Sequence, residues 1–246
     1  MSNHKVLWTG GWDSTFRILD LILNKKVSVQ PYYILDEDRK STRMELHTMD
    51  NIRTMIYQMN DKLANNLATL KIIKINNIPK NEGITQSYKV LSSQSHLGSQ
   101  YDWLARYCEY NNISALELCI HNDDTVEGFI KNDVTLVDEN IDKYYILNNE
   151  TTQPELSIFS YYHYPLFDMT KLDMERCAQK SGFGHIMEET WFCHSPIGNK
   201  PCGMCNPCKY TKEEGLGRRV PNPTVFMKVR RKLGSKWKGL KRKLRH

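Results

Sequence analysis

The N-terminal part of the chain alternates short apolar runs with amphipathic segments. An apolar run at Lys5–Trp8 precedes a glycine-containing turn, after which Phe16, Leu19 and Leu23 recur at helical spacing. A second apolar run follows at Val27–Leu35. This pattern predicts a strand, a loop, a helix and a second strand.

The alternation continues through the middle of the chain. The charged segment Asp36–Arg43 is predicted to be the loop beyond the second strand, and an apolar stripe predicts a helix over Met44–Asn66. A third strand is predicted at Leu70–Asn76, a helix at Gln100–Asn111 and a fourth, buried strand at Ala115–His121. Strands that alternate with helices favour an α/β fold, with an open, mostly parallel sheet and helices on both faces.

The C-terminal half has a weaker pattern. Val126–Ile130 predicts the start of a helix, SIFSYYHYPLFD at Ser157–Asp168 predicts an extended segment, and Thr170–Gly182 predicts a short helix ended by glycine. With 246 residues the chain can bury a full core in one domain. Its apolar runs are too short for a signal peptide or a membrane span, so we expect a cytoplasmic protein.

Positive charge is concentrated at the C-terminus. The formal net charge is +6, but the nineteen residues from Lys228 hold ten of the 34 Lys and Arg residues, which leaves 24 against 28 Asp and Glu. Apolar residues from just before this tail to its end recur at steps of three or four; they are Phe226, Val229, Leu233, Trp237, Leu240 and Leu244. The pattern predicts a basic amphipathic helix that contacts RNA or an anionic surface, such as the inner face of a membrane. A terminal helix packed on the body of the protein is the alternative.

The segment TGGWDST directly follows the first predicted strand. In an open parallel sheet, ligands lie at the C-terminal ends of the strands, and glycines let backbone N–H groups approach phosphate. The first turn of the following helix adds N–H donors, and Ser14 and Thr15 supply hydroxyls. The segment contains neither the Walker pattern nor the dinucleotide pattern. We therefore predict a polyphosphate site, with an ordinary capped helix start as the alternative.

Four of the seven cysteines form the pattern C-x8-C-x2-C-x2-C; they are Cys193, Cys202, Cys205 and Cys208. The last three would form a tight knuckle, and Cys193 could complete a tetrahedron. Four protein ligands leave no open position, so we predict a structural zinc, with an iron–sulfur cluster as the alternative. The remaining cysteines, Cys108, Cys119 and Cys177, stand in apolar surroundings and are expected to be buried thiols.

The sequence VLWTGGWDST resembles the S-G-G-x-D-S loop of the PP-loop ATP pyrophosphatases, which cleave ATP between its α and β phosphates. The resemblance implies a Rossmann-like fold of the adenine nucleotide alpha hydrolase type. It also implies catalytic roles for Asp13 and Ser14, with Asp13 a magnesium or substrate-orienting group. Thr9 stands where the family usually has serine. The implied ATP-binding residues are Trp8, Thr9, Gly10, Gly11, Trp12, Asp13, Ser14 and Thr15.

The loop and the four cysteines together resemble the 7-cyano-7-deazaguanine synthases of queuosine biosynthesis. The segment PLFDMTKLDMERCAQKSGF is also similar to that family. The resemblance implies a ligase that uses ATP, Mg²⁺ and Zn²⁺, adenylates the carboxylate of a 7-deazaguanine and lets ammonia or an amine attack to give an amide or nitrile. It also implies a homodimer and a phosphate contact by Lys171, for which a solvated helix lysine is the alternative.

The middle of the chain departs from the family pattern. LGSQYDWLA stands where the family has an arginine-containing loop, and HNDDTVEGFI lacks its glycine, tyrosine and cysteine pattern. Asp123, Asp124 and Glu127 are predicted to form a solvated turn, with metal or amine contacts as the alternative. A PP-loop enzyme with another acyl or tRNA substrate, and a zinc-stabilised nucleic-acid or membrane adaptor, stay open. The expected divisions are a PP-loop domain at 1–190, a zinc segment at 191–217 and a basic tail at 218–246.

Overall fold

A computed structural model describes residues 4–122, 124–139 and 142–223 of the chain. The chain divides into two compact units, Met1–Trp191 and Phe192–His246. The predicted basic tail from Lys228 and the candidate residue Asp123 lie outside the described residues. Within those ranges, no helix is both long enough and apolar enough to cross a membrane.

Seven strands are found in the described part of the first unit: β1 (His4–Leu7), β2 (Val29–Leu35), β3 (Lys71–Lys74), β4 (Leu116–Glu117), β5 (Val134–Glu139), β6 (Asp142–Leu147) and β7 (Tyr162–His163). Five of them form a parallel sheet in the order β3-β2-β1-β4-β7, and β5 pairs with β6 as an antiparallel hairpin. The predicted α/β fold with a parallel sheet is confirmed. Because the strand order reverses beside β1, the C-terminal ends of β1 and β4 flank a position where such sheets bind ligands.

The described helices are α1 (Trp12–Leu19), α2 (Thr42–Met59), α3 (Asp61–Ala64), α4 (Glu82–Gln94), α5 (Gln100–Tyr110), α6 (Thr125–Ile130), α7 (Lys171–Lys180) and α8 (Gly184–Glu188) in the first unit, and α9 (Asn206–Thr211) in the second. A π-helical turn, Asp20–Asn24, continues α1. The predicted helix at Thr170–Gly182 is confirmed: Thr170 and Asp173 form a capping box at its start, and Gly182 follows its end with a φ of +80°.

The single helix predicted over Met44–Asn66 is interrupted at Asn60: α2 covers the prediction as far as Met59, and α3 is a separate short helix. Asn60 adopts an extended conformation, with φ −160° and ψ 101°, and thereby ends α2. Its side chain accepts a hydrogen bond from the Leu63 N–H at 3.0 Å and caps α3. The apolar stripe continues from α2 into α3, so the spacing of apolar residues alone does not reveal the break at Asn60.

Other predicted elements are shorter than expected. Of the strand predicted at Ala115–His121, only Leu116–Glu117 pairs in the sheet. The segment predicted as extended at Ser157–Asp168 instead begins within a 3-10 helix, Pro154–Phe159, before β7. Of the three thiols expected to be buried, Cys108 is buried and Cys119 is half-buried, and the expectation is wrong for Cys177, which is exposed on α7.

A buried ion network connects α1 with the sheet and the hairpin. The Arg17 side chain is 2% exposed, and its Nε donates to Glu117 Oε2 at 2.6 Å while Nη1 donates to Asp142 Oδ1 at 2.9 Å. His4 Nδ1 lies 2.6 Å from Glu117 Oε1, and Lys25 Nζ lies 2.5 Å from Asp142 Oδ1. Burial opposes the charged form of Arg17, but the two carboxylates hold its pKa above the usual value.

Candidate functional site

A cleft of about 340 Å³ lies at the C-terminal ends of β1, β2 and β4. Leu7, Ile34 and Leu118 contribute apolar surface from these strands and the segment after β4. A second wall comes from the start of α5 and includes Tyr101 and Trp103. The volume is typical of small-molecule sites, and the position is the one that the strand order predicts.

The glycine-containing loop forms one wall of this cleft. Gly10 has a φ of +70°, and a Cβ at this position would lie 3.1 Å from the Glu45 carbonyl oxygen and 3.2 Å from Met49 Cγ. The Trp191 N–H donates to the Gly10 carbonyl at 2.8 Å. The loop therefore lies close against α2, and only glycine satisfies both the backbone conformation and the space.

The loop leads into the N-terminus of α1. Gly11 is the N-cap residue, and α1 has no side-chain cap hydrogen bond. The Gly11 carbonyl accepts a hydrogen bond from the Thr15 N–H at 3.1 Å, and this is the first hydrogen bond of the helix. The N–H groups of a first turn have no acceptor within their own helix, and the helix dipole favours negative charge there. This end of α1 can therefore bind a phosphate group.

The hydroxyl groups of the loop fall into two sets. Thr9 and Ser14 line the cleft, and the Thr9 N–H donates to Ser14 Oγ at 3.3 Å. Thr15 and Trp8 are fully buried, and Trp8 Nε1 donates to Thr15 Oγ1 at 3.0 Å. Trp12 is also buried. Of the eight residues predicted to bind ATP, the four that line the cleft are Thr9, Gly11, Asp13 and Ser14.

Asp13 faces two basic side chains from other elements. Lys171 Nζ lies 3.7 Å from Asp13 Oδ2, and His121 Nε2 lies 3.9 Å from Asp13 Oδ1. Asp13 Oδ1 is buried and has no hydrogen-bond partner among the residues that the structure describes. Such a carboxylate oxygen fits a bound cation, and carboxylates beside phosphates are common Mg²⁺ ligands.

Lys171 is the first residue of α7, and its side chain is only 14% exposed. The alternative of a solvated helix lysine therefore does not describe its position. His121 was not among the residues singled out from the sequence. Its Nδ1 lies 2.6 Å from the Asn122 carbonyl oxygen. The sequence feature that could have identified His121 is its place at the end of the predicted fourth strand, because the C-terminal ends of the strands face the ligand site in this fold.

Asp124 lines the cleft and also caps α6, where its Oδ1 accepts from the Val126 N–H at 2.8 Å. Burial raises the pKa of Asp124 above its usual value, and the Val126 N–H and the charge of His121 oppose that shift. The predicted turn is thus a helix cap whose carboxylate also faces the cleft. Burial likewise raises the pKa of Cys119, so this thiol in the cleft wall keeps its proton.

The four cysteines predicted to bind metal come together in the second unit. Their sulfur atoms all lie within 4.8 Å of one another, with Sγ–Sγ distances of 3.4 Å for Cys205–Cys208, 3.8 Å for Cys193–Cys205 and 3.9 Å for Cys202–Cys208. Four sulfurs about 2.3 Å from a tetrahedral zinc are about 3.8 Å apart. The cluster therefore fits a single zinc ion.

The backbone around the cysteines is arranged for thiolates. The Cys202 N–H points to Cys193 Sγ at 3.2 Å, and the Cys205 N–H points to Cys202 Sγ at 3.3 Å. Gly203 has a φ of +70°, and a Cβ there would lie 2.4 Å from the Pro221 carbonyl oxygen. A tight knuckle of this kind requires glycine.

Comparison with known proteins gives one family match. A protein-family model described as queuosine biosynthesis protein QueC matches residues 105–218, which include His121, Lys171 and the four cysteines. The matched range begins after the glycine-containing segment TGGWDST, the predicted phosphate site, which is called the phosphate loop below. No curated protein matches the chain significantly. The predicted resemblance to the queuosine family of 7-cyano-7-deazaguanine synthases is confirmed over this range. The match supports an ATP-dependent PP-loop enzyme of queuosine biosynthesis.

Proposed function

We propose that this chain, matched to the QueC family over residues 105–218, adenylates the carboxylate of a 7-deazaguanine for attack by ammonia or an amine. One observation carries the proposal. Lys171, from the matched range, and Asp13, from the phosphate loop that precedes it, meet at 3.7 Å. The family match and the loop therefore describe the same site, although they lie in different parts of the sequence.

In this proposal the polyphosphate of ATP binds at the N-terminus of α1. The backbone at Gly11 and the hydroxyls of Thr9 and Ser14 lie on that wall of the cleft. Lys171 would offset the charge of the leaving pyrophosphate. Asp13 Oδ1 would hold Mg²⁺, which would supply further positive charge at the phosphates.

The first chemical step activates the carboxylate. One carboxylate oxygen attacks the α phosphorus of ATP, the new P–O bond forms, and the bond to the bridging oxygen breaks so that pyrophosphate leaves with its electron pair. The product is an acyl adenylate. The step replaces oxide, a poor leaving group, with AMP, a good one. Catalysis of such an in-line displacement depends chiefly on positioning the reactants and stabilising the charge.

The second step forms the carbon–nitrogen bond. The nitrogen lone pair of ammonia attacks the acyl carbon, the C–O bond to AMP breaks, and one N–H proton is lost to solvent. A second adenylation, at the amide oxygen, would let AMP leave with the loss of two protons to give the nitrile. Cys119 is given no part in these steps, because desolvation raises the pKa of its thiol and a protonated thiol is a poor nucleophile.

The cysteine cluster has a structural role in this account. With four protein ligands, a bound zinc has no open position for substrate. It would hold together the Cys193–Cys208 segment, whose conformation depends on the Gly203 turn.

The test is mass spectrometry of the purified protein with ATP, Mg²⁺, an ammonium salt and 7-carboxy-7-deazaguanine. We expect AMP together with an amide or a nitrile, and loss of both products in Asp13→Ala and Ser14→Ala. AMP formation with a different carboxylate only would reject this substrate. Absence of AMP with every carboxylate offered would reject the ligase and favour a binding protein.

A further inference from the structure

The part of the cleft wall formed by the turn after β2 contains an arginine. Arg39 lies in the turn that follows β2 and lines the cleft together with Asp36. The acidic lining residues are Asp13, Asp36 and Asp124, and among the described lining residues Arg39 supplies the positive charge. An anionic ligand placed between three carboxylates needs such a cation, because like charges at short range repel.

A buried carboxylate stands beside the Arg39 side chain. Glu45 is only 5% exposed, and its Oε1 lies 3.6 Å from Arg39 Nε. Glu45 Oε1 also accepts from Ser41 Oγ at 2.7 Å, and Oε2 accepts from the Tyr33 hydroxyl at 2.7 Å. Burial, together with the charge of Glu45, raises the pKa of Tyr33, so the phenol remains a donor. Two hydroxyl donors thus fix the carboxylate that faces the guanidinium.

Hydrogen bonds also fix the backbone of Arg39. Its N–H donates to the Asp36 carbonyl at 3.2 Å, and its carbonyl accepts from the Thr42 N–H at 3.2 Å. The Thr42 hydroxyl donates to the Asp36 carbonyl at 2.7 Å. These bonds connect the turn to the first turn of α2. The Glu45 carbonyl lies against Gly10 in turn, so Arg39 is positioned relative to the phosphate loop through a continuous set of contacts.

We propose that Arg39 is a specificity-determining residue that binds a pair of anionic oxygens in the cleft, and that Glu45 is its positioning residue. A guanidinium presents five N–H donors in a planar fork that matches a carboxylate or a phosphate. The assignment rests on the proposed function. Two ligands carry such oxygens, the carboxylate substrate and ATP, and the carboxylate is the one that must be oriented toward the α phosphorus.

The test compares three glutamine variants, Arg39→Gln, Glu45→Gln and Arg43→Gln. Arg43 is exposed at the start of α2 and serves as the matched arginine control. Steady-state assays vary ATP and 7-carboxy-7-deazaguanine separately. For Arg39→Gln we expect the KM of the carboxylate to rise about tenfold or more, as loss of a charged bidentate contact implies. For Glu45→Gln we expect a smaller rise in KM with little change in kcat, and for Arg43→Gln no change.

Arg39→Lys separates charge from shape. Its ammonium lacks the planar fork, so we expect only partial recovery of KM. A rise in the KM of ATP instead would support the same anion contact and assign it to phosphate. Unchanged KM values for both ligands in Arg39→Gln would overturn the proposal.

Equilibrium binding distinguishes this failure from failure of the proposed function. Calorimetric titration of the wild-type protein with 7-carboxy-7-deazaguanine, in the presence of ATP without magnesium, needs no turnover. If wild type does not bind the carboxylate, the proposed substrate is wrong. If wild type and Arg39→Gln bind 7-carboxy-7-deazaguanine with equal affinity, the proposed substrate is retained and the proposed role of Arg39 is rejected.

Discussion

Lys171 Nζ lies 3.7 Å from Asp13 Oδ2, and the pair brings the start of α7 to the first turn of α1. Their side chains are 14% and 24% exposed, so the two charges are partly removed from solvent. Electrostatic interactions in such a place are stronger than at the open surface. Lys171 is therefore well placed to stabilise phosphate charge at the loop.

Replacing Lys171 with methionine keeps much of the side-chain volume and removes the charge. We expect Lys171→Met to lower kcat/KM for AMP formation by about 10²-fold or more, as removal of one preorganised charge contact does in other enzymes. The matched control is Lys180→Met, at the exposed end of the same helix. Equal activity of the two variants, measured by the rate of AMP release, would show that Lys171 only packs on the loop.

Gly10 is expected to be intolerant of any side chain. Gly10→Ala introduces a Cβ about 3.1 to 3.3 Å from atoms of Glu45, Met49 and Thr48, at a φ of +70°. We expect a loss of roughly 1–3 kcal/mol in unfolding free energy and weaker ATP binding. In Gly128→Ala, on α6, the new Cβ has no atom within 4 Å, so we expect a gain of up to about 1 kcal/mol. Urea unfolding in which both variants shift alike would contradict this view of the loop.

The cysteine cluster is expected to hold one zinc per chain. Elemental analysis should give zinc without iron or acid-labile sulfide, and Cys202→Ser should lose the metal and lower the melting temperature. Cys177→Ser, which changes an exposed thiol on α7, should retain both properties. Iron with acid-labile sulfide in the protein as purified would establish the iron–sulfur alternative.

Asp142 gives the fold a defined response to acid. Burial raises its pKa, but hydrogen bonds and charge from Arg17 and Lys25 outweigh that effect and hold the pKa of Asp142 at about 2, below the usual 3.8. As the pH falls, Asp142 is protonated in the unfolded chain, near pH 3.8, before it is protonated in the folded protein, near pH 2. The ionised carboxylate therefore contributes its full stabilisation above about pH 4, and the contribution is lost as the pH falls through about 2. Linkage gives about 2 kcal/mol for this single group.

Urea unfolding between pH 7 and pH 2 tests this response. Asp142→Asn should be less stable at pH 7, because Arg17 loses a charged partner, and should lose less stability than wild type on acidification. Asp138→Asn removes a carboxylate that is 55% exposed and pairs with Lys143, so we expect little change. Parallel stability curves for wild type and Asp142→Asn would count against the buried network.

The sequence identified those parts of the site that are contiguous in the chain. The phosphate loop is one strand, turn and helix start, and the cysteine knuckle is set by spacing and a glycine, so both could be predicted locally. Lys171 was found only through the family resemblance. Arg39, which lines the cleft, and His121, which lies near Asp13, were not singled out from the sequence, because their positions depend on which strand ends the sheet places side by side.

The missed elements have weak patterns for physical reasons. Helix α4 buries only Ile84 and Leu91, so it lacks an apolar stripe, and β5 has no fully buried residue that would produce a clear alternation. The predicted fourth strand was longer than the structure has it. Its apolar residues Leu118 and Ile120 line the cleft after β4 ends, and an apolar run alone does not distinguish a strand from a cleft wall.

An oxygen isotope in the carboxylate shows which bond to phosphorus forms during activation. The carboxylate substrate is labelled with ¹⁸O at both oxygens and turned over with unlabelled ATP, Mg²⁺ and ammonium. If the substrate oxygen attacks the α phosphorus, each AMP released carries one ¹⁸O atom. One labelled AMP is then expected for the amide and two for the nitrile. Unlabelled AMP, or ADP with the label in inorganic phosphate, would contradict the account.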